Sequence, residues 1–270
     1  MNVSQTRFDF RRYAGFVFDV DGVLFRGEEI IDGARETLRY LKAQGKKVFC
    51  LSNNSRNDRY QYAEKFRSFP LEPEELFHAA RGTAEYIASL HPRARVAFLG
   101  GEGLRTELQL HDLTPVEVTV NPPEVDFLVV GHDPEFDYAK LTGAVRILRR
   151  GARLIAVNMD RVFPQAEGDI PGPAGLVKAL EYYTGVQATV IGKPTPTLAH
   201  LALRKMGISA EEGVMVGDSL LSDIACGKAA GMTTVLVLTG EASLEDVERS
   251  SLRPDFVLQD VTALIEEGET

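Results

Sequence analysis

Short apolar runs alternate with amphipathic stretches along nearly the whole chain, and this alternation is the feature that most restricts its fold. Phe16–Val20, Lys47–Leu51 and Val214–Val216 are apolar runs of strand length, whereas Gly33–Gln44 and Ser222–Ala230 have helical spacing. Strands that alternate with helices are typical of βα units, which build parallel sheets. The sequence therefore predicts an α/β fold with a doubly wound parallel-sheet (Rossmann-like) core.

In the first part of the chain the predicted strands end in polar residues. This pattern stops near residue 80 and resumes near residue 185. Between them the chain starts a βα pattern of its own, with strand-like runs at Val96–Leu99 and Asp126–Val130. A chain of 270 residues is long enough for two domains. We therefore predict a discontinuous core formed by residues 1–80 and 186–270, and an inserted α/β domain formed by residues 81–185.

Composition and charge restrict the class of protein. A net charge of −9 argues against a nucleic-acid binder, because such proteins usually carry a basic face. No stretch reaches the roughly 18 apolar residues of a membrane helix, and Met1–Phe10 lacks the apolar segment of a signal peptide. Cys50 and Cys226 lie in or beside apolar segments, which predicts buried free thiols and a reducing compartment. We expect a cytoplasmic protein without nucleic-acid or membrane partners.

Two carboxylates follow the first predicted strand. The segment from Phe16 to Gly22 reads Phe-Val-Phe-Asp-Val-Asp-Gly, so the apolar run stops at Asp19 and Asp21. Ligands bind at the carboxyl ends of parallel strands, and two acids this close repel each other unless a cation or a shared proton compensates them. Mg²⁺ is the suitable cation because it prefers oxygen ligands. Taken alone, the segment fits a strand end with ordinary turn acids equally well.

Three later segments have the same design, with polar residues directly after an apolar run. If the first strand lies beside the strand that ends at Asp218, the sheet has a topological switch point there, and its acids surround one pocket. Three acids suit Mg²⁺, whereas a hydroxyl, backbone N–H groups and a lysine suit a phosphate group. The set indicates phosphoryl transfer, although each segment alone also fits a turn, a helix cap or a solvated loop. The three segments are Leu51–Ser55, Gly192–Pro194, and Gly217–Ser219 with the following Asp223.

Together the four motifs resemble those of the haloacid dehalogenase (HAD) superfamily of phosphohydrolases, and most closely its p-nitrophenyl phosphatase-like branch. The resemblance covers nearly the whole chain and implies that the inserted domain is an α/β cap. It also implies a Mg²⁺-dependent phosphatase that hydrolyses small phosphorylated metabolites through an aspartyl-phosphate on Asp19. The matching segments are Asp19–Leu24, Leu51–Ser55, Ile191–Pro194 and Gly217–Asp223, with Val129–Asp133, Asn158–Asp160, Gly168–Gly175 and Leu236–Gly240 in the rest of the chain.

The resemblance assigns catalytic roles to single residues. Asp19 is the expected nucleophile, and Asp21 is expected to protonate the leaving group and then to activate water. Lys193 would offset the repulsion between a carboxylate and a phosphate. The predicted catalytic residues are Asp19, Asp21, Ser52 and Lys193. The predicted phosphate-binding residues are Asp21, Gly22, Ser52, Asn53, Asn54 and Lys193.

The resemblance further implies a metal site and a specificity region. Asp19 and Asp218 would hold Mg²⁺ together with Asp21, which would contribute its backbone carbonyl. Asp223 would orient Lys193 or a metal-bound water. Loops of the cap would read the leaving group, although a lone histidine at a strand end is more often structural, and a homodimer through the cap is expected by analogy. The residues predicted to set substrate specificity are His132, Asp133, Asn158 and Asp160.

Three other functions compete with this interpretation. A signalling receiver domain also phosphorylates an aspartate at a strand end, but it spans one small domain and needs neither a second acid two residues later nor a cap. A dehalogenase of the same superfamily would need neither Mg²⁺ nor Asp21 and Asp218. A catalytically silent phosphate-binding protein stays an alternative, against which the intact acids argue. The sequence leaves the substrate open among nucleoside monophosphates, sugar phosphates, phosphoglycolate and pyridoxal phosphate.

Overall fold

The computed structural model describes residues 8–163 and 168–265, so the prediction about Met1–Phe10 lies mostly outside the described part of the chain. The strands, in chain order, are β1 (Gly15–Phe18), β2 (Phe25–Arg26), β3 (Glu29–Ile30), β4 (Lys47–Ser52), β5 (Leu76–His78), β6 (Arg95–Leu99), β7 (Thr114–Glu117), β8 (Phe127–Val130), β9 (Arg153–Ala156), β10 (Val162–Phe163), β11 (Ile170–Pro171), β12 (Thr189–Val190), β13 (Gly213–Gly217), β14 (Thr233–Val237) and β15 (Phe256–Leu258).

Helices connect most of these strands. They are α1 (Ala34–Ala43), α2 (Arg59–Lys65), α3 (Ala79–Leu90), α4 (Glu102–Leu110), α5 (Tyr138–Arg149), α6 (Ala174–Thr184), α7 (Thr197–Met206), α8 (Ala225–Ala230) and α9 (Leu244–Arg249). The longest described helices have 12 residues, and none of the described helices is long and apolar enough to cross a membrane.

By its internal contacts the chain divides into two compact units. Over the described residues, the first unit falls within Met1–Leu51, Phe66–Leu76 and Ala199–Thr270, and the second within Ser52–Lys65 and Phe77–Leu198. The predicted boundaries, and the assignment of the two parts as core and cap, stay a prediction.

The first unit is built on a sheet with the strand order β15-β14-β13-β1-β4-β5, whose last edge strand lies where the chain passes into the second unit. β1 pairs in parallel with β13 on one side and with β4 on the other, so that Phe18 is opposite both Val216 and Cys50. Every residue of β1 and β13 is buried, as expected for strands of a parallel sheet that is covered on both faces. The expectation that the first strand lies beside the strand ending at Asp218 is confirmed.

The second unit has its own sheet, with the order β12-β9-β8-β6-β7 and parallel pairing throughout. Its core combines apolar residues of the strands, such as Leu128 and Leu154, with residues of the two helices α5 and α6, such as Ile147 and Leu180. A short antiparallel hairpin of β10 and β11 is attached to it. Parallel sheets flanked by helices in both units confirm the predicted α/β class.

The segment after β13 differs from its prediction. Ser222–Ala230 reads as one helix in the sequence, but the chain first makes a wide π turn over Leu220–Ile224 and only then forms α8. The carboxylate of Asp223 accepts hydrogen bonds from the backbone N–H groups of Asp218 and Ser219, both at 3.1 Å, so this turn is organised around an acidic side chain. Apolar periodicity carries no information about such a bond.

Candidate active site

Asp19 stands directly after β1, the strand at the topological switch point of the first sheet. Its backbone N–H donates to the carbonyl oxygen of Val216 at 2.8 Å, which continues the ladder between β1 and β13 by one residue. The strand before it is fully buried, whereas Asp19 itself is half-buried. The sheet therefore fixes the backbone of Asp19 and leaves its carboxylate at the strand end, where ligands of parallel sheets bind.

Three acids meet at this strand end. Asp19, Asp218 and Asp223 each offer one carboxylate oxygen, and these oxygens all lie within 4.8 Å of one another. Asp218 and Asp223 are buried, so their charges are taken out of water. Burial of a like-charged group is costly unless a cation or protons compensate it. We name these three residues the acidic cluster.

Backbone groups orient the acidic cluster. Asp223 accepts the two N–H groups described above, and Asp218 accepts the backbone N–H of Glu241 at 2.7 Å. The loop after β14 is tied to the first motif as well, because the hydroxyl of Thr239 donates to the carbonyl oxygen of Gly22 at 2.5 Å. The carboxylates of Asp218 and Asp223 are thus held in place by main-chain groups of the same unit.

Two glycines allow the close approach around Asp218. Gly22 has φ = +81°, which favours glycine, and a Cβ atom at Gly22 or at Gly240 would overlap the Asp218 carboxylate. The sequence motif predicted Gly22 as a phosphate-binding turn. The structure adds a steric reason for a glycine at both positions.

Asp21 differs from the cluster in position. It lies two residues after Asp19, is exposed, and forms an isolated bridge with Phe25, while Gly22 donates to the carbonyl oxygen of Phe25 at 2.7 Å. Among the described residues its carboxylate is not part of the acidic cluster. The expected role of Asp21 as acid and base stays a prediction.

The predicted phosphate-binding residues Ser52, Asn53, Asn54 and Lys193 belong to the second unit. Asn53 is the centre of a network there: its carboxamide oxygen accepts the backbone N–H of Lys193 at 2.9 Å, and its amide nitrogen donates to the Lys193 carbonyl oxygen at 3.2 Å. The Ser52 hydroxyl accepts the N–H of Asn54 at 3.1 Å. The network aligns the second and third motifs with each other, whereas their contact with phosphate stays a prediction.

Two predicted specificity residues join this network. Asn158 is fully buried and donates to the carbonyl oxygen of Asn53 at 2.7 Å, and it accepts the N–H of Asp160 at 3.1 Å. Asp160 in turn accepts from the amide nitrogen of Asn53 at 3.0 Å. These bonds give both residues a role in positioning Asn53 and the Lys193 loop. Their predicted part in substrate choice stays a prediction.

The other two predicted specificity residues follow β8. Asp133 has a side chain that is only 3% exposed and is paired with Lys140 at 2.8 Å. His132 is half-buried, with its ring centroid 5.5 Å from that of Phe163. Burial lowers the pKa of His132, the charge of Arg56 lowers it further, and Asp133 acts in the opposite direction. His132 is therefore neutral at pH 7, whereas the charge of Asp133 is compensated by Lys140.

Sequence reasoning missed two residues that hold the structure together, Glu241 in the first unit and Glu107 in the second. Glu241, whose N–H group holds Asp218, donates through its backbone, and no residue type in the sequence marks such a bond. The buried carboxylate of Glu107 in the second unit was also missed. Its partner Arg59 is 48 residues away along the chain, so no local pattern indicated the pair.

Family models match both ends of the chain. Residues 16–114 match a model described as haloacid dehalogenase-like hydrolase, and residues 190–264 match one described as HAD-hydrolase-like. An acid sugar phosphatase of Staphylococcus aureus is 36% identical over 261 residues, which are 96% of this chain and 99% of that protein.

Solved structures of phosphatases are also similar to this chain over most of its length. A p-nitrophenyl phosphatase from Archaeoglobus fulgidus is 38% identical with a TM-score of 0.87, and the match covers 93% of this chain and 98% of that one. A glycerol phosphate phosphatase from Mycobacterium tuberculosis, solved in complex with calcium, is 28% identical with a TM-score of 0.85 and coverages of 96% and 76%.

Proposed function

This chain belongs to the haloacid dehalogenase-like hydrolases and is a phosphatase, and from that premise we propose that it is a Mg²⁺-dependent phosphomonoesterase with Asp19 as its nucleophile. The observation that carries the proposal is the acidic cluster, in which Asp19, Asp218 and Asp223 bring carboxylate oxygens within 4.8 Å of one another. The nucleophile position and the cation site then coincide in one strand end of the first unit.

The donor set fits a hard divalent cation. Carboxylate oxygens are the ligands that Mg²⁺ prefers, and two of the three acids are buried, so that an ion would compensate a charge that is otherwise costly. Asp19 and Asp218 would hold the ion, with Asp223 beside them. When bound, Mg²⁺ would offset the repulsion between a carboxylate and an anionic phosphate group.

In the first half-reaction, a carboxylate oxygen of Asp19 attacks phosphorus. The new Asp19 O–P bond forms while the bond from phosphorus to the leaving oxygen breaks, and Asp21 gives its proton to that oxygen. The products of this step are the free alcohol and an aspartyl-phosphate.

The second half-reaction returns the enzyme to its starting state. Asp21, now a carboxylate, takes a proton from a water molecule, whose oxygen bonds to phosphorus as the Asp19 O–P bond breaks. Inorganic phosphate leaves, Asp19 is again a carboxylate and Asp21 is again protonated. In this proposal Ser52, Asn53, Asn54 and Lys193 bind the phosphate oxygens, supported by the network that fixes the Lys193 loop through Asn53.

The substrate in this proposal is a small phosphorylated metabolite. The relatives are named acid sugar phosphatase, p-nitrophenyl phosphatase and glycerol phosphate phosphatase, which supports a small ester and leaves its alcohol open. A cytoplasmic location and a homodimer through the second unit stay predictions.

The proposal is tested by replacing the nucleophile. Asp19→Asn keeps the shape of the side chain but removes the attacking charge, so phosphate release with Mg²⁺ should fall by at least about 10³-fold. Asp32→Asn, which changes an exposed acid of the same unit, is the matched control and should keep full activity. EDTA should abolish turnover of the wild type and added Mg²⁺ should restore it.

The intermediate supplies a second measurement. Enzyme quenched in acid during turnover should carry a hydroxylamine-labile phosphate on the peptide that contains Asp19, detected by mass spectrometry. Near-normal phosphate release by a folded Asp19→Asn variant, or full activity without divalent metal, would overturn the proposal.

A further inference from the structure

The second unit contains a cavity of about 470 Å³. Its walls are the loop after β8, strand β11 and the first turn of α6. A cavity of this size lies within the range of small-molecule sites. We name it the ring cavity. Its apolar side chains are Pro134, Phe136, Ile170, Pro171, Pro173 and Leu176.

The ring cavity has few polar side chains. Among the described residues that line it, only His132 and Asp133 have one. Asp133 is compensated, because Lys140 lies 2.8 and 3.0 Å from its two oxygens and the N–H of Glu135 donates to it at 3.0 Å. A buried and compensated carboxylate has little attraction left for a charged ligand.

His132 supplies the remaining polar group. Arg56 and Asp133 are the charged groups that act on its ring, and burial together with Arg56 favours the neutral imidazole. A neutral imidazole has one N–H donor and one acceptor nitrogen. The ring cavity thus combines apolar walls with one neutral hydrogen-bonding group.

We propose that the ring cavity binds a neutral apolar ring compound that carries a single hydroxyl or similar polar substituent. Proline and phenylalanine side chains present flat apolar surfaces to such a ring, and the imidazole of His132 pairs with the substituent. For the several hydroxyl groups of a sugar, the described residues of the cavity offer only one neutral side-chain partner, His132. The compound is either the alcohol part of the substrate, in which case this inference rests on the proposed function, or a separate effector.

Gly175 allows the cavity to be filled without damage to the fold. It lines the ring cavity in the first turn of α6, and a Cβ atom added there would meet nothing within 4 Å. A leucine at this position would extend into open space, and it suits a helix better than glycine does. Lys178→Leu, on the exposed surface of the same helix, adds the same side chain outside the cavity and is the matched control.

The first experiment measures binding of 2-naphthol to the full-length protein by the change in naphthol fluorescence. The chain has no tryptophan, so the protein contributes little background. Saturable binding is expected for the wild type and for Lys178→Leu, with affinities within about twofold, and a loss of at least about tenfold is expected for Gly175→Leu. Should Gly175→Leu fail to fold, Leu176→Gln makes the same test by adding a polar group to the cavity wall.

The second experiment identifies the source of the ring. Phosphate release from 2-naphthyl phosphate and from glucose 6-phosphate is measured with and without 2-naphthol. Competitive inhibition, with a selective loss of naphthyl phosphate turnover in Gly175→Leu, assigns the cavity to the alcohol part of the substrate. Non-competitive modulation that Gly175→Leu removes assigns it to an effector, and both results support the site.

The inference is overturned if the wild type shows no saturable binding of 2-naphthol, or if Gly175→Leu binds it as the wild type does. Failure of the proposed function has a different signature, since no ester would then release phosphate in a Mg²⁺-dependent way while the binding experiment would be unaffected.

Discussion

The acidic cluster of the first unit and the buried Glu107 of the second unit have opposite electrostatic surroundings. In the first unit, the acidic cluster gathers three like charges of Asp19, Asp218 and Asp223. In the second unit, the fully buried Glu107 is surrounded by basic groups: Arg59 Nη2 lies 2.6 Å from one oxygen, and His78 Nε2 lies 3.4 Å from the other. In the proposed function the acidic cluster takes a cation from outside the chain, whereas the positive charge beside Glu107 comes from the chain itself.

The difference separates a functional carboxylate from a structural one. Burial alone would raise the pKa of Glu107, but His78 and Arg59 outweigh it and lower the pKa to about 2. The same carboxylate accepts the backbone N–H of Arg59 at 2.8 Å, so it also anchors the start of α2. Glu107 thus holds α2 and α4 of the second unit together, and a charge so well compensated has no capacity left for a ligand.

The largest effect is expected from removal of Glu107. Glu107→Ala removes the fully buried carboxylate that accepts both the guanidinium and the backbone N–H of Arg59, and loss of one member of a buried pair costs about 3–5 kcal/mol of unfolding free energy. Urea denaturation followed by circular dichroism measures it. The matched control is Glu102→Ala on the same helix, whose exposed pair with Arg105 should contribute less than about 1 kcal/mol. Equal effects of the two substitutions would break the comparison.

The second-largest effect is expected at low pH, which should lower the unfolding free energy of the protein through Glu107. The pKa of Glu107 is about 2 in the folded protein, whereas its ordinary value, taken for the unfolded chain, is 4.5. The charged carboxylate therefore stabilises the folded state fully above pH 4.5, and this stabilisation is lost as the pH falls towards 2. The shift corresponds to about 3 kcal/mol. The difference in unfolding free energy between wild type and Glu107→Gln, measured from pH 6 down to pH 2.5, should shrink over this window. A difference that is constant with pH would contradict the role of the charge.

The smallest effect on stability is expected at the acidic cluster of the first unit. Mg²⁺ at 10 to 100 times its dissociation constant should stabilise the wild type by about 1–3 kcal/mol, because it binds only the folded acidic cluster. Asp218→Asn should lose most of this response in a thermal melt, while Lys140→Met, in the second unit, should keep it. Equal responses of Asp218→Asn and the wild type to Mg²⁺ would contradict the assignment of the cation site to the acidic cluster.

The sequence predicted the parts of the molecule in which chemistry follows directly from a strand. Asp19 and Asp218 each end an apolar run, and the pairing of β1 with β13 then brings them together. The order of motifs and the α/β class could therefore be obtained from periodicity and position alone. Residue roles in binding phosphate and in catalysis stay predictions, because they depend on a substrate.

Other features lay beyond sequence reasoning for physical reasons. Glu107 stands beside Leu108 in α4, and only tertiary contacts decide that it faces the interior. The two-residue strands β2 and β3 are too short for a period to be detected. The bond from Glu241 to Asp218 uses a backbone N–H, which every residue type except proline would offer.

The crowding of Asp218 between Gly22 and Gly240 has a consequence for protein engineering. Any side chain at either position would push into the carboxylate that also accepts the N–H of Glu241. A redesign of this site therefore has to keep both glycines, because even alanine at either position would displace the acid that the redesign depends on.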